Sequence, residues 1–126
     1  MKQVIVMRTD LGMRKGKMIA QGSHASLKIF LDRIVPTECS NSYQLTLTDE
    51  MKEWMMGNYK KICVGVPSEE ELMDIFEQAK EKDLPVVLIT DSGLTEFKGV
   101  PTNTCLCIGP SHEALIDEIT GHLKLL

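Results

Sequence analysis

Lys17, Gln21, His24 and Lys28 recur at i, i+4, i+7 and i+11 in KGKMIAQGSHASLK. On an α-helix that spacing gathers them within about 60° of one another, with Arg14 close by if the helix starts early. No glutamate stands anywhere on this stretch to pair with the lysines. A row rich in donors, with no carboxylate among them, suits phosphate or carbonyl oxygens better than bulk water. His24 is the member that accepts and returns a proton near neutral pH. Beside a carboxylate it could orient or activate a water, and Asp91 is the candidate carboxylate from its place in the chain. The chemistry within reach is hydrolysis of a polyanionic substrate.

The elements that must position these groups follow from the apolar pattern. QVIVM, Gln3–Met7, is rich in β-branched residues and predicts a buried strand, with Gly12 and Gly16 breaking the loop after it. A helix is predicted from about Lys15 to Arg33, with Met18, Ile19, Gly22, Ala25, Ser26, Ile29 and Phe30 in one inward arc. Its small residues would let it lie close against a sheet. Residues 34–48 have no helical period and contain Pro36, which predicts a loop or insertion. Thr48 reads as the N-cap of a short helix over Asp49–Met56, and Ser68 with Glu71 as a capping box. Further strands are predicted at Ile62–Val66, Val86–Ile89 and Thr104–Ile108, and Ser111 as N-cap of a last helix ending at Gly121. Strands alternating with helices indicate a single α/β domain with a partly parallel sheet. In such sheets sites form beyond the carboxyl ends of strands, which favours the loop after the first strand and Asp91 after the third. Strand order, and so whether the two lie side by side, is not legible.

Composition excludes several classes. No apolar run approaches the roughly 20 residues a membrane span needs, and the N-terminus turns charged too soon for a signal peptide. Cys39, Cys63, Cys105 and Cys107 form no CxxC pair and match no zinc spacing, so free thiols in a reducing cytoplasm are expected. No nucleophile elbow, P-loop or dinucleotide fingerprint is present. The net charge of −4 hides an asymmetry: residues 1–33 carry seven basic and two acidic groups, the rest seven basic and sixteen acidic. The N-terminal third could therefore present a positive field to a polyanion.

VIVMRTDLGMRKGKMIAQGSHAS, DSGLTEF and CIGPSHEALIDEITGHLKLL together resemble the archaeal/eukaryotic-type peptidyl-tRNA hydrolases, the Pth2 family, in collinear order over nearly the whole chain. The resemblance is weakest over residues 34–58, which look like an insertion or loop plus short helix. It implies a three-layer α/β/α sandwich around a four-stranded mixed sheet, usually as a homodimer. It further implies hydrolysis of the ester linking a peptidyl group to the 3′ end of tRNA, with no metal or other cofactor. Carried over by position, Lys17, His24, Asp91, Thr95 and Thr104 would be catalytic, and Gln21 would bind substrate. Arg8, Arg14, Lys15 and Lys28 would contact phosphates. Lys17 and Asp91 form the preferred central pair with His24 in support, and the choice of Asp91 or His24 as base stays open.

The turn reads DSGLTE where the family commonly has DAGRTQ, so Leu94 replaces an arginine and Glu96 a neutral amide. Those changes bear on tRNA affinity and acyl preference. Two alternatives differ in class: an RNA-binding module that keeps the fold without turnover, and an esterase acting on small acyl substrates.

Overall fold

The computed structural model describes residues 1–126. Strand β1 (Lys2–Arg8) is buried along its whole length. Val4 and Val6 enter one core cluster and Ile5 and Met7 the other, the period-2 alternation of a strand covered on both faces. Each such side chain contributes roughly 1.5–3 kcal/mol on leaving water. The chain continues through α1 (Lys15–Leu31), β2 (Ile34–Pro36), β3 (Tyr43–Leu45), α2 (Asp49–Met56), β4 (Lys61–Val66) and α3 (Glu69–Glu81). It ends with β5 (Val86–Asp91), β6 (Thr102–Ser111), α4 (Glu113–Thr120) and β7 (Lys124–Leu125).

The main sheet has five strands in the order β5-β6-β1-β4-β7. β1 and β4 are parallel and the other pairings antiparallel, so the sheet is mixed. Ala25, Ile29 and Phe30 of α1 share a core cluster with Met51 and Trp54 of α2. Leu72, Ile75 and Ala79 of α3 share the other with Ile116 and Ile119 of α4. The expected sheet of four strands is corrected to five, because Lys124 and Leu125 pair with Gly65 and Val64. That short strand satisfies backbone groups which an edge at β4 would leave open.

Other boundaries differ for local reasons. Residues 34–45 hold a small hairpin, with Ile34 opposite Leu45, where a loop was expected. Ser111 does not cap α4: its backbone pairs with Lys2, so β6 runs through it and His112 takes the N-cap position. Ile19, placed in the inward arc by the wheel, is 70% exposed. The other two predicted N-caps are made, with the hydroxyls of Thr48 and Ser68 each accepting a backbone N–H at 3.1 Å, although Glu71 does not return the bond that would complete a capping box. No helix is long and apolar enough to cross a membrane.

β6 lies between β1 and β5 and runs antiparallel to both. The carboxyl ends of β1 and β5 therefore meet the start of β6 at one end of the sheet. α1 leaves the loop after β1 and packs over β6 and β5. This crossing brings the polar row to Asp91.

Candidate active site

The Lys17 ammonium donates to Asp91 Oδ2 at 2.6 Å and to Thr95 Oγ1 at 2.8 Å. Both charged side chains are withdrawn from water, 14% and 9% exposed respectively. The ring of Phe97 lies 5.6 Å from the same nitrogen, within cation–π reach. Asp91 Oδ1 accepts the Gly93 N–H at 3.0 Å, the local turn that an Asp-x-Gly sequence favours. Gly93 has a φ of +82°, and a Cβ there would stand 2.4 Å from the Val100 carbonyl oxygen. Only glycine fits that position. The Lys17 hydrogen bond, then the Gly93 N–H, hold the Asp91 carboxyl below its ordinary range; positive charge at Lys17 and His24 assists, and partial burial opposes.

One helical turn along α1, Gln21 is buried against β6 and its Oε1 accepts the Thr104 hydroxyl at 2.5 Å. Thr104 is fully buried. It occupies an irregularity in the β5–β6 ladder: Ile89 pairs with Cys105 and Thr90 with Asn103, leaving Thr104 as the extra residue of a bulge. Bulges re-aim side chains beside functional sites, and this one directs a hydroxyl at α1.

The row of four thus divides. Lys17 and Gln21 turn to β5 and β6, His24 remains exposed, and Lys28 pairs with Asp32 of its own helix at 2.8 Å. Hydrogen bonds reach the Asp91 carboxylate from Lys17 and Gly93, while His24 acts on it only through charge. Arg14 and Lys15 are exposed at the start of α1, whose first turn has no acidic residue and no side-chain cap. Arg8 is 8% exposed and bound within the protein: Nε and Nη2 donate to Asp10 at 3.0 and 2.7 Å, and Nη1 to the Asn103 carbonyl at 3.0 Å.

Phe97 and Asn103 enter the site without having been singled out in the sequence, and Gly93 only as part of the Asp91–Gly93 turn after the third strand. The Asp-x-Gly turn was a usable signal for Gly93; nothing local marks the other two. No three His, Cys, Asp or Glu side chains converge as a metal site would require. The thiol of Cys105 is pushed up to about 12 by burial and that of Cys107 is raised for the same reason, so neither is a nucleophile near neutral pH. An apolar groove of about 740 Å³ runs between α1, β1, β4 and the C-terminus, lined by Met18, Ile19, Leu27, Phe30 and Leu126 among others.

The family model described as peptidyl-tRNA hydrolase PTH2 matches residues 1–126. A protein of Methanocaldococcus jannaschii named peptidyl-tRNA hydrolase is 44% identical over 126 residues, covering 100% of both chains. Proteins of the same name from Methanothermobacter thermautotrophicus and Sulfurisphaera tokodaii are 40% identical over 126 residues and 42% identical over 125. The first covers 100% of both chains, the second 99% of this chain and 98% of its own. With a full-length match to the family and relatives this similar along their whole length, the chain belongs to the peptidyl-tRNA hydrolase PTH2 family.

Proposed function

We propose that this chain hydrolyses the ester joining a peptidyl group to the 3′ end of tRNA, without a metal, with Lys17, Asp91 and Thr95 at the reacting atoms. The observation that carries the reading is the withdrawn Lys17–Asp91 contact with Thr95 on the same ammonium. Two of the three Lys17 N–H groups are engaged there, which leaves one for a substrate oxygen.

Water adds to the ester carbonyl carbon, its proton passes to Asp91, and the new oxyanion takes the free N–H of Lys17. The tetrahedral intermediate then collapses by breaking the bond to the ribose oxygen, which receives the proton. A carboxylate held below its usual range is a weak base at rest. As the oxyanion forms on the free N–H, it shares the Lys17 charge with Asp91, so the hold of the ammonium on the carboxylate weakens and the basicity of Asp91 rises where it is needed. Thr95 positions the water, the Thr104–Gln21 contact fixes α1 under the ester, and His24 supports the negative charge at the rim. Arg14 and Lys15 meet tRNA phosphates, supported by the exposed, uncapped start of α1 and the basic excess of residues 1–33, and Lys28 in the last turn exchanges Asp32 for a phosphate.

The helices in two separate core clusters support a three-layer α/β/α arrangement. The apolar groove supports a homodimer joined on the side of α1 away from Asp91. The proposed substrate supports a cytoplasmic location, where translation releases peptidyl-tRNA.

The test is release of free tRNA from an N-blocked aminoacyl-tRNA at low and moderate salt, with EDTA present and Lys17→Ala as control. Turnover that survives EDTA, weakens with salt and disappears in the variant is expected. Turnover unchanged in Lys17→Ala overturns the assignment of the site, and tRNA binding with no turnover in the parent chain overturns the activity.

A further inference from the structure

The geometry points to Arg8 and Asn103 as positioning residues: a clamp that holds the β6 bulge and so aims Thr104 at Gln21, in place of a phosphate-binding role for Arg8. This rests on the site proposed above. The clamp joins three segments. Arg8 closes the carboxyl end of β1, and its fork grips both oxygens of Asp10 in the loop leading to α1. Its remaining terminal nitrogen donates to the Asn103 carbonyl, one residue before the bulged Thr104, and lies 3.8 Å from Glu69 at the start of α3.

Asn103 is held from its side chain as well. Its Oδ1 accepts the Thr90 hydroxyl at 2.6 Å, and its Nδ2 donates to Glu69 at 3.1 Å. Thr90 is the residue at which the β5–β6 register changes, and Asp91 follows it. One asparagine therefore ties the strand carrying Asp91, the strand carrying Thr104 and, through Arg8, the loop that launches Lys17. A bulge has no ladder partner for its extra residue, so its geometry is set by what grips its neighbours. Here the grip comes from a guanidinium.

The chemistry of Arg8 is used up in this task. Three of its five N–H donors are engaged at 3.0 Å or less, two carboxylates neutralise its charge, and its side chain is 9% exposed. A phosphate arriving there would meet Asp10 and Glu69 first. A lysine could not reproduce the fork, having a single nitrogen for acceptors on two segments.

The test compares single-turnover rate, tRNA affinity and salt dependence for the parent chain, Arg8→Lys, Asn103→Ala and Thr104→Val. Expected is a fall in rate of between about tenfold and about a hundredfold in Arg8→Lys, the scale of a small misplacement. Its tRNA affinity and salt slope should stay those of the parent, and Asn103→Ala should show a smaller loss of the same kind. A weaker affinity with a shallower slope and an unchanged rate in Arg8→Lys would make Arg8 a phosphate ligand and overturn the clamp, as would parental kinetics in Arg8→Lys and Asn103→Ala beside an impaired Thr104→Val. Should Arg8→Lys fail to fold, Asn103→Ala decides alone by its rate. Parental rate in Thr104→Val would instead remove the site reading on which the clamp depends.

Discussion

The hydroxyl of Thr104 and the carboxamide of Gln21 meet at 2.5 Å in a fully covered contact between β6 and α1. Thr104→Val keeps the shape of the side chain and removes the donor, leaving a buried carboxamide oxygen without it. Such a loss costs about 1–3 kcal/mol. Thermal unfolding should register that destabilisation, and turnover should fall at temperatures where the variant is still folded. A variant as stable and as active as the parent would show that the contact positions nothing.

Asp91 gives a pH prediction whose sign is fixed by its surroundings. Its carboxyl titrates below the ordinary carboxylate value of 3.8 because Lys17 and Gly93 donate to the ionised form. A group depressed in this way adds stability above its unfolded pKa and loses it as pH falls through the folded one. The stability gap between the parent and Asp91→Asn should therefore be full at neutral pH and close below about pH 3.8. Carbon NMR of the carboxyl should place its midpoint below 3.8 in the parent and move it upward in Lys17→Met, where the largest cause is gone. A midpoint unmoved by that substitution would mean the ion pair does not form in solution.

Gly93 tests the loop separately from the charges. With φ at +82° and the Val100 backbone within 2.4 Å of any Cβ, Gly93→Ala must push residues 92–100 away from their place. Thr95 and Phe97 ride on that segment, so Lys17 would lose a hydroxyl and an aromatic face while Asp91 loses an N–H. The cost of strain at such a position is of order 1–3 kcal/mol. Activity should drop by more than about tenfold with the sheet intact, which circular dichroism and a single-turnover assay would separate. Equal rates would show that the loop is not part of the reacting arrangement.

Much of this was legible because it is local. Thr48 and Ser68 announce their helices through capping chemistry that acts within three residues, and both caps are made. VIVM declares two-sided burial by having no polar alternation. Lys17, Gln21 and Asp91 could be named as candidates, yet their meeting depends on strand order, which is a property of contacts between distant segments. β6 inserts between β1 and β5, and only then does α1 reach Asp91. The β7 pairing involves two residues, too few for any periodicity to show. The bulge at Thr104 was invisible for a related reason, since a register change exists only between two strands. Arg8 reads as one more basic residue until its acceptors on Asp10 and Asn103 are known.

The apolar groove makes the last prediction. Ile19 and Leu27 are 70% and 55% exposed on α1, two turns apart, and Leu126 at 54% closes the opposite rim. Exposed side chains of this size at the mouth of one groove support the subunit contact proposed above. In a dimer joined there, Leu27→Asp and, less fully because Lys15 lies one turn before it, Ile19→Asp would each drive a carboxylate into an apolar contact, at a cost of several kcal/mol. Every 1.4 kcal/mol is about a tenfold change in dissociation, so either variant should sediment as a monomer at concentrations where the parent is a dimer. Lys17 and Gln21 face the other side of α1, toward β5 and β6, so the monomer should keep the parent's rate per chain on N-blocked aminoacyl-tRNA. Sedimentation unchanged in both variants would move the subunit contact elsewhere. A monomer that has lost its rate would mean that the second subunit completes the site across α1.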